Sequence, residues 1–333
     1  MYAFSGRLLF MDNPPIGVMF RCDSPPENLP AYAQLAERLG YDELWVVEDC
    51  FFTGAISAAA VAAASTETLK IGIGILPAAF RNPALAAMEL ANLSRLFPGR
   101  ILPGFGHGVP SWVRQVGAHH PSPLAVLEES IGAIRALLHG ETVTMHGRHV
   151  DLDAVTLAFP PGEPPLISAG VRNEKSLRLA GRVADGTILA EGAAPAYIAW
   201  ARERIDEGRA EAGRTDPHRV TVYAHLDFDE AARSARFELA NQFNKPVQPA
   251  DPADADTLAR LVADAKGDLD ALAAALPDEI VDRYAVTGDA EQCGSAVSRL
   301  AAAGADAVVF VPPRDADLSV AHLSLAAEAL LGR

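Results

Sequence analysis

A regular alternation of short apolar segments with longer helical segments constrains this fold more than any other sequence feature. Eight apolar segments of four to eight residues recur along the chain, and stretches with apolar residues every three or four positions lie between them. The apolar segments do not alternate strictly with polar residues, which is typical of parallel strands buried on both faces. The pattern therefore predicts an α/β fold built on a parallel sheet.

Eight strands and eight helices follow from this pattern. The predicted strands are Pro15–Phe20, Glu43–Glu48, Lys70–Ile75, Ile101–Gly106, Leu166–Ala169, Gly186–Leu189, Arg219–Leu226 and Ala307–Val311. The predicted helices are Glu27–Leu39, Ile56–Ala64, Pro83–Leu96, Leu124–Leu138, Lys175–Val183, Ala196–Ala212, Ala290–Ala303 and Val320–Leu331. Eight such units predict a single-domain (β/α)8 TIM barrel over residues 1–333, with a doubly wound sheet as the alternative.

Two insertions interrupt the barrel pattern. Residues 142–157 read as a β-hairpin that turns near His146 and Gly147. Residues 229–276 are acidic, rich in alanine and broken by three prolines, which predicts a helical excursion on the barrel rim. We expect both insertions to shape the entrance of a pocket.

The charge of the chain limits its partners. The formal net charge is −15, and no block of Lys and Arg appears. These features argue against nucleic acid or an anionic membrane surface as a partner. No apolar run reaches the roughly 18 residues of a membrane span, and the first 15 residues lack the long apolar region of a secretory signal. We expect a cytoplasmic enzyme.

The cysteine and histidine patterns predict no metal site. Cys22, Cys50 and Cys293 are isolated and form neither a disulfide framework nor a zinc motif. His119 and His120 are adjacent, so their side chains diverge, and no third ligand is evident. Motifs of dinucleotide-binding Rossmann folds, P-loops, zinc proteases and α/β-hydrolases are absent as well.

Polar residues follow the second predicted strand, where a barrel places its active site. Glu48, Asp49 and Cys50 come directly after two valines. Asp49 or Glu48 is expected to hydrogen-bond a cofactor or substrate, and Cys50 to line the pocket. The alternative is that Asp49 caps the next helix and Cys50 is a small buried hydrophobic residue.

Glycines mark the ends of the third and fourth strands. Gly74, next to Ile75, predicts a bulge or a close approach to the backbone. Gly104, Gly106 and Gly108 flank His107 and free the backbone to face an anionic ligand. The alternative is that these glycines only relieve packing inside the barrel.

A glycine also ends the fifth strand, directly before a helix. Gly170, Val171 and Arg172 precede that helix, whose first N–H groups have no partner within the helix. Such a turn is suited to a phosphate group, and Arg172 and Lys175 could add positive charge. An ordinary loop with two surface cations is the alternative.

Five segments in order resemble the bacterial luciferase-like superfamily of flavin- and deazaflavin-dependent oxidoreductases. They are LGYDELWVVED at 39–49, IGIGILPAAFRNP at 71–83, RLFPGRILPGFGHG at 95–108, ISAGVRNEKSLRLAGRVADGTI at 167–188 and AAAGADAVVFVPP at 301–313. The chain is most similar to the branch that uses coenzyme F420, which includes methylene-tetrahydromethanopterin reductase. Asp49 matches that branch, and Cys50 stands where the branch typically carries histidine.

The resemblance implies roles for particular residues. It implies a non-proline cis peptide between Gly74 and Ile75, in a bulge under the central ring of the cofactor. It implies a backbone wall near the polar tail of the cofactor, made by Gly104, Gly106, His107 and Gly108. It also implies a phosphate-binding turn at Gly170, Val171 and Arg172.

Three functions remain open at this point. The first is hydride transfer between coenzyme F420 and a small organic substrate, with Asp49 and Cys50 as catalytic residues and Glu48 as a cofactor ligand. The second is an FMN-dependent monooxygenase that uses molecular oxygen, and the third is a cofactor-binding protein without turnover. A homodimer formed through the alanine-rich helices Ile56–Ala64 and Pro83–Leu96 is also expected, and the alternative is that these helices only pack on their own barrel.

Overall fold

The computed structural model describes residues 14–228, 232–245 and 251–331. The prediction about a secretory signal concerned the first 15 residues, and nearly all of these lie outside the described part of the chain. Within them no helix is long and apolar enough to cross a lipid bilayer. The two insertions are covered except for residues 229–231 and 246–250.

Eleven strands are present in the described part of the chain. They are β1 (Ile16–Met19), β2 (Glu43–Val46), β3 (Lys70–Pro77), β4 (Ile101–Gly106), β5 (Val143–His146), β6 (Asp151–Val155), β7 (Ser168–Gly170), β8 (Gly186–Leu189), β9 (Arg219–Asp227), β10 (Val286–Thr287) and β11 (Ala307–Val311). Strand β4, strand β8 and strand β11 have the predicted bounds. The prediction ended β3 two residues early, at Ile75.

Thirteen α-helices surround the strands in the same residues. They are α1 (Leu29–Arg38), α2 (Ala55–Ala64), α3 (Pro83–Leu96), α4 (Pro110–Gln115), α5 (Pro123–Leu138), α6 (Glu174–Val183), α7 (Pro195–Glu211), α8 (Arg233–Asn244), α9 (Ala255–Ala265), α10 (Leu269–Ala275), α11 (Asp278–Tyr284), α12 (Ala290–Ala302) and α13 (Ala316–Ala326). Helix α3 matches its prediction because its start is strongly encoded. The Asn82 side chain accepts a hydrogen bond from Ala84 N at 2.9 Å, and Pro83 occupies the first helical position.

Eight of the strands close into a parallel barrel. The order of hydrogen-bonded neighbours is β1, β2, β3, β4, β7, β8, β9 and β11, and β11 pairs again with β1. This closure confirms the predicted (β/α)8 barrel and shows that the doubly wound alternative was wrong, because an open sheet would leave two unpaired edges.

Large side chains fill the interior of the barrel, and glycines on β3 make room for them. The Trp45 and Tyr223 rings meet edge to face, with centroids 5.6 Å apart. A Cβ atom on Gly72 would lie 2.1 Å from the Trp45 ring, and one on Gly74 would lie 1.7 Å from the Tyr223 hydroxyl oxygen. Below them Trp45 Nε1 donates to the buried carboxylate of Glu43 at 2.9 Å.

Both insertions adopt the predicted structures. Strands β5 and β6 pair antiparallel, and the Glu129 carboxylate accepts the N–H groups of Arg148, His149 and Val150 at the turn between them. Helices α8, α9 and α10 form the helical excursion and share a small apolar core with α11, which the sequence pattern did not predict.

Candidate functional site

A cavity of about 570 Å³ opens at the carboxyl ends of the barrel strands. All eight barrel strands, or the loops that follow them, contribute to its wall. The cavity therefore lies where a (β/α)8 barrel assembles its active site. The histidine, cysteine and carboxylate side chains of the described residues form no cluster that could hold a metal ion.

Most of the predicted site residues line this cavity. Those on its wall are Glu48, Asp49, Gly74, Ile75, His107, Gly108, Gly170, Val171 and Arg172. Cys50, Gly104 and Gly106 are not among the lining residues. Other residues that the sequence pattern did not single out also line it, among them Arg21, Cys22, Glu191 and Tyr223.

Asp49 presents a partly buried carboxyl group to the cavity. Cys22 Sγ donates to Asp49 Oδ2 at 3.5 Å. Burial raises the pKa of Asp49, the negative charge of Glu191 raises it further, and the Cys22 thiol and Arg21 oppose the rise. Helix α2 begins at Ala55, and Ala55 N donates to Glu48 rather than to Asp49, so Asp49 does not cap this helix.

Glu48 has partners within the protein. Arg81 Nη2 donates to Glu48 Oε2 at 2.8 Å, Arg81 Nη1 contacts the other carboxylate oxygen, and Ala55 N donates to Oε2 at 3.1 Å. These bonds tie the loop after β2 to the loop after β3 and to the start of α2. The contacts of Glu48 therefore hold the wall in place, and a hydrogen bond to a cofactor stays a prediction.

Cys50 lies beside this wall but outside the cavity. Its pKa is raised, first by burial and then by the charges of Glu48 and Asp49, so its thiol stays protonated at neutral pH. A protonated thiol outside the cavity is poorly placed to react with a bound molecule. Cys22, and not Cys50, is among the residues that line the cavity, and a catalytic role of Cys50 stays a prediction.

The peptide bond between Gly74 and Ile75 is cis, as predicted, and the strand bulges there. A second cis bond, between Cys50 and Phe51, was not predicted.

The Ile75 side chain enters a recess between β4 and β7, and three glycines form that recess. A Cβ atom on Gly170 would lie 2.4 Å from Ile75 Cγ2, one on Gly106 would lie 3.0 Å from Ile75 Cγ1, and one on Gly104 would lie 3.3 Å from Ile75 Cγ2. These distances are shorter than ordinary carbon contacts of about 3.5–4.0 Å. The packing interpretation thus accounts for Gly104 and Gly106, while Gly170 both receives Ile75 and lines the cavity.

Tyr223 is a buried phenol without a hydrogen-bond partner in the described part of the chain. It lies beneath the Gly74 bulge and lines the cavity floor. Burial raises its pKa well above the usual value, and the charges of Glu191, Glu43 and Asp49 act in the same direction. Tyr223 therefore remains protonated, and its hydroxyl is a hydrogen-bond donor without a partner in the described residues.

The start of α6 forms the other end of the cavity. Asn173 precedes this helix and makes no side-chain capping bond, and Tyr197 OH donates to the Arg172 carbonyl at 2.7 Å. His107 Nε2 lies 3.2 Å from Ser176 Oγ, and burial lowers the pKa of His107, so the ring is neutral at pH 7. Arg172 and the helix dipole suit an anion, and the carboxylate of Glu174, the first residue of α6, acts in the opposite direction.

Comparisons with known proteins agree with this geometry. The model of the family described as luciferase-like monooxygenase matches residues 11–307. The 5,10-methylenetetrahydromethanopterin reductase of Methanolobus tindarius is 30% identical over 310 residues, 89% of this chain and 94% of that protein. The F420-dependent glucose-6-phosphate dehydrogenase of Microbacterium testaceum is 29% identical over 280 residues, 78% of this chain and 83% of that protein.

A solved structure shows the same fold. It is the coenzyme F420 dependent tetrahydromethanopterin reductase from Methanopyrus kandleri, with a TM-score of 0.81 at 19% sequence identity over 96% of this chain and 99% of that one. The resemblance first seen in the five sequence segments is thereby confirmed, and the chain belongs to the luciferase-like monooxygenase family.

Proposed function

We propose that this protein is a coenzyme F420-dependent oxidoreductase that transfers a hydride between the deazaflavin and a small organic substrate. The observation that carries the proposal is the polarity of the cavity. The wall combines Arg172 and the start of α6 with Asp49, Cys22 and the Ile75 bulge. Relatives that share this barrel include an F420-dependent dehydrogenase and a methylenetetrahydromethanopterin reductase.

The residues present fit a flat, anionic-tailed cofactor. Ile75, Ile188 and Val311 provide an apolar wall, and the Tyr223 hydroxyl is a buried donor with no partner in the described residues. An aromatic ring with acceptor atoms would satisfy such a donor, and leaving it unsatisfied costs about 1–3 kcal/mol. Arg172 and the first N–H groups of α6 would hold the phosphate of the cofactor.

When bound, a deazaflavin supplies hydride donation or acceptance at carbon 5 of its central ring. The protein positions the reactants and exchanges the proton that accompanies the hydride. Asp49 is the group placed for that exchange, because it faces the cavity and its raised pKa brings it closer to neutral pH. Val109, Pro110 and Trp112 line the entrance and would keep water from the reacting atoms.

A titration of the purified protein with oxidised coenzyme F420, and separately with FMN, tests the proposal. We expect micromolar or tighter binding of F420 and at least tenfold weaker binding of FMN. The variant Arg172→Ala should weaken F420 binding by about 10- to 100-fold, because a charge-assisted hydrogen bond contributes about 1.5–3 kcal/mol. Arg148→Ala, in the exposed hairpin turn, is the matched control and should leave binding unchanged.

An FMN-dependent monooxygenase is the second candidate, and the family description favours it. It predicts the opposite order of affinities and oxygen consumption with reduced FMN. Tight F420 binding without hydride exchange to any donor would instead support a cofactor-binding protein without turnover. Failure to bind either cofactor would overturn the proposal.

The proposal includes a homodimer through α2 and α3. Leu85 and Met88 are 57% and 56% exposed and lie three residues apart on α3, so they share one face of that helix. Val61 on α2 is also exposed, as are Phe51 and Phe52 in the preceding loop. Such apolar exposure is typical of a protein interface. We expect a dimer by sedimentation equilibrium, and a monomer for Leu85→Asp combined with Met88→Asp.

A further inference from the structure

The loop after β1 brings a thiol to the proposed proton-exchanging carboxyl group. Cys22 lies 27 positions before Asp49 in the sequence, yet its Sγ is a hydrogen-bond donor to Asp49 Oδ2 at 3.5 Å. Both residues are half-buried, and both line the cavity. Within the described residues, the Asp49 side chain thus has Cys22 as its hydrogen-bond partner.

The surroundings keep Cys22 a donor. Burial raises its pKa to about 12, and the charges of Asp49 and Asp23 contribute, while Arg21 acts in the opposite direction. Arg21 is itself paired with Asp23 at 3.1 Å and with Glu238 at 3.7 Å. The thiol is therefore protonated across the physiological range, and its hydrogen is available to the carboxylate.

We propose that Cys22 is a positioning residue for Asp49, whose carboxylate it holds toward the cavity by donating a hydrogen bond to Oδ2. The proposal rests on the proposed function for the purpose of the bond, but the bond itself does not depend on any cofactor. A hydrogen-bond donor to the ionised carboxylate stabilises the ionised form. Cys22 therefore lowers the pKa of Asp49, whereas burial and the charge of Glu191 raise it. Removal of the thiol would leave Asp49 protonated over a wider pH range and less able to accept a proton.

The pKa of Asp49 is the first readout, and it needs neither cofactor nor substrate. It is followed by carboxyl carbon NMR of aspartate-labelled protein, with Asp49→Asn to assign the signal. We expect Cys22→Ala to raise the pKa by about half a unit to one unit, as one hydrogen bond predicts. Cys22→Ser keeps a donor and should restore most of the difference, which a purely structural role would not do.

Thiol reactivity is the second readout, since the three cysteines provide internal controls. Alkylation by iodoacetamide is followed for each cysteine peptide by mass spectrometry in cofactor-free protein, with and without Asp49→Asn. Asp49→Asn removes the carboxylate charge beside Cys22 and so lowers the pKa of the Cys22 thiol. Each pKa unit by which it falls increases the alkylation rate about threefold, because the larger thiolate fraction outweighs the lower nucleophilicity of that thiolate. We expect an increase of threefold or more at Cys22, a smaller one at Cys50 and none at buried Cys293.

Two results would overturn the inference. One is an Asp49 pKa that is the same in wild type, Cys22→Ala and Cys22→Ser. The other is an Asp49→Asn variant in which Cys22 reacts no faster, or in which Cys50 gains more than Cys22. Coupling of the two residues without F420 binding would refute the proposed function alone, and F420 binding without coupling would refute this inference alone.

Discussion

The recess around Ile75 predicts a large and specific effect of one added methyl group. In Gly170→Ala the new Cβ would lie 2.4 Å from Ile75 Cγ2, about 1 Å inside the ordinary contact distance. The methyl cannot turn away, because a Cβ position is set by the backbone, so Ile75 has to move toward the cavity. Overpacking of this kind costs about 1–3 kcal/mol of the free energy of unfolding.

A double-mutant cycle measured by urea denaturation isolates this contact. After Ile75→Ala the nearest Ile75 atom to the new methyl is Cβ at 3.6 Å, which is ordinary contact. The Gly170→Ala substitution should therefore cost little in the Ile75→Ala background, with a coupling energy of about 1–3 kcal/mol. Gly132→Ala is the control, because Gly132 lies inside α5 with open space around it and the substitution should stabilise by about 0.8–1 kcal/mol.

The cycle can refute the reasoning in two ways. Gly170→Ala could stabilise the protein as much as Gly132→Ala does, which would mean that the recess accepts a methyl group without displacing Ile75. Its cost could also persist unchanged in the Ile75→Ala background, and then Ile75 would not be the side chain that requires the glycine. Because Ile75 lines the cavity, we also expect Gly170→Ala to weaken F420 binding.

Three further substitutions separate structural from binding roles. Tyr223→Phe removes a buried hydroxyl that has no partner in the described residues, so we expect the cofactor-free protein to be as stable as the wild type or more stable. We also expect F420 binding to be about 2- to 12-fold weaker in a fluorescence titration. A lower stability of the cofactor-free variant would contradict this reasoning. Glu48→Gln breaks the partly buried ion pair with Arg81 and should lower the free energy of unfolding, measured by urea denaturation, by about 1.5–3 kcal/mol. The control is Glu174→Gln at an exposed ion pair, which should lower it by less than about 0.5 kcal/mol. His218 is buried near three arginines and its pKa is lowered from 6.5 to about 4, so the unfolded chain binds a proton that the folded chain does not between these values. Stability should fall as pH drops from 6.5 to 4, by at most about 1.4 kcal/mol per pH unit, and the portion due to this residue should vanish in His218→Gln.

The fold was predictable because its signals are local and repeated. Helix α3 carries a capping asparagine and a proline at its start, and strand β11 is five consecutive apolar residues. The two-residue strand β10 and the seven-residue helix α11 were missed, since segments this short contain too few residues to show a period. The sheet closure followed from the number of units rather than from any single residue.

The site was predictable only from the general rule that a (β/α)8 barrel places its active site at the carboxyl ends of the strands. That rule directs attention to residues after each strand, and it found Asp49, His107 and Arg172 on the cavity wall. The same rule applied to β1 points to Arg21 and Cys22, which directly follow Phe20 and also line the cavity. Tyr223 lies in β9, where Thr221, Tyr223 and His225 alternate with apolar residues. This alternation is the sequence signal that could have marked the Tyr223 side chain as facing the barrel interior.

The glycines of β4 and β7 show how one sequence motif admits two structural explanations. Gly104 and Gly106 on β4 and Gly170 on β7 look like a backbone surface prepared for a ligand, because glycine at a strand end exposes N–H groups. In the structure their common neighbour is the Ile75 side chain, and a Cβ on any of the three would crowd it. Ile75 in turn forms part of the cavity wall, and Gly170 lines the cavity directly as well. A Cβ on Gly104 would also lie 2.5 Å from Ile188 Cδ1, so Ile75 is one of the neighbours that these glycines accommodate. Spacing along the sequence cannot reveal such a relation, because Ile75 lies 29 to 95 positions away from the three glycines whose Cβ atoms would crowd it.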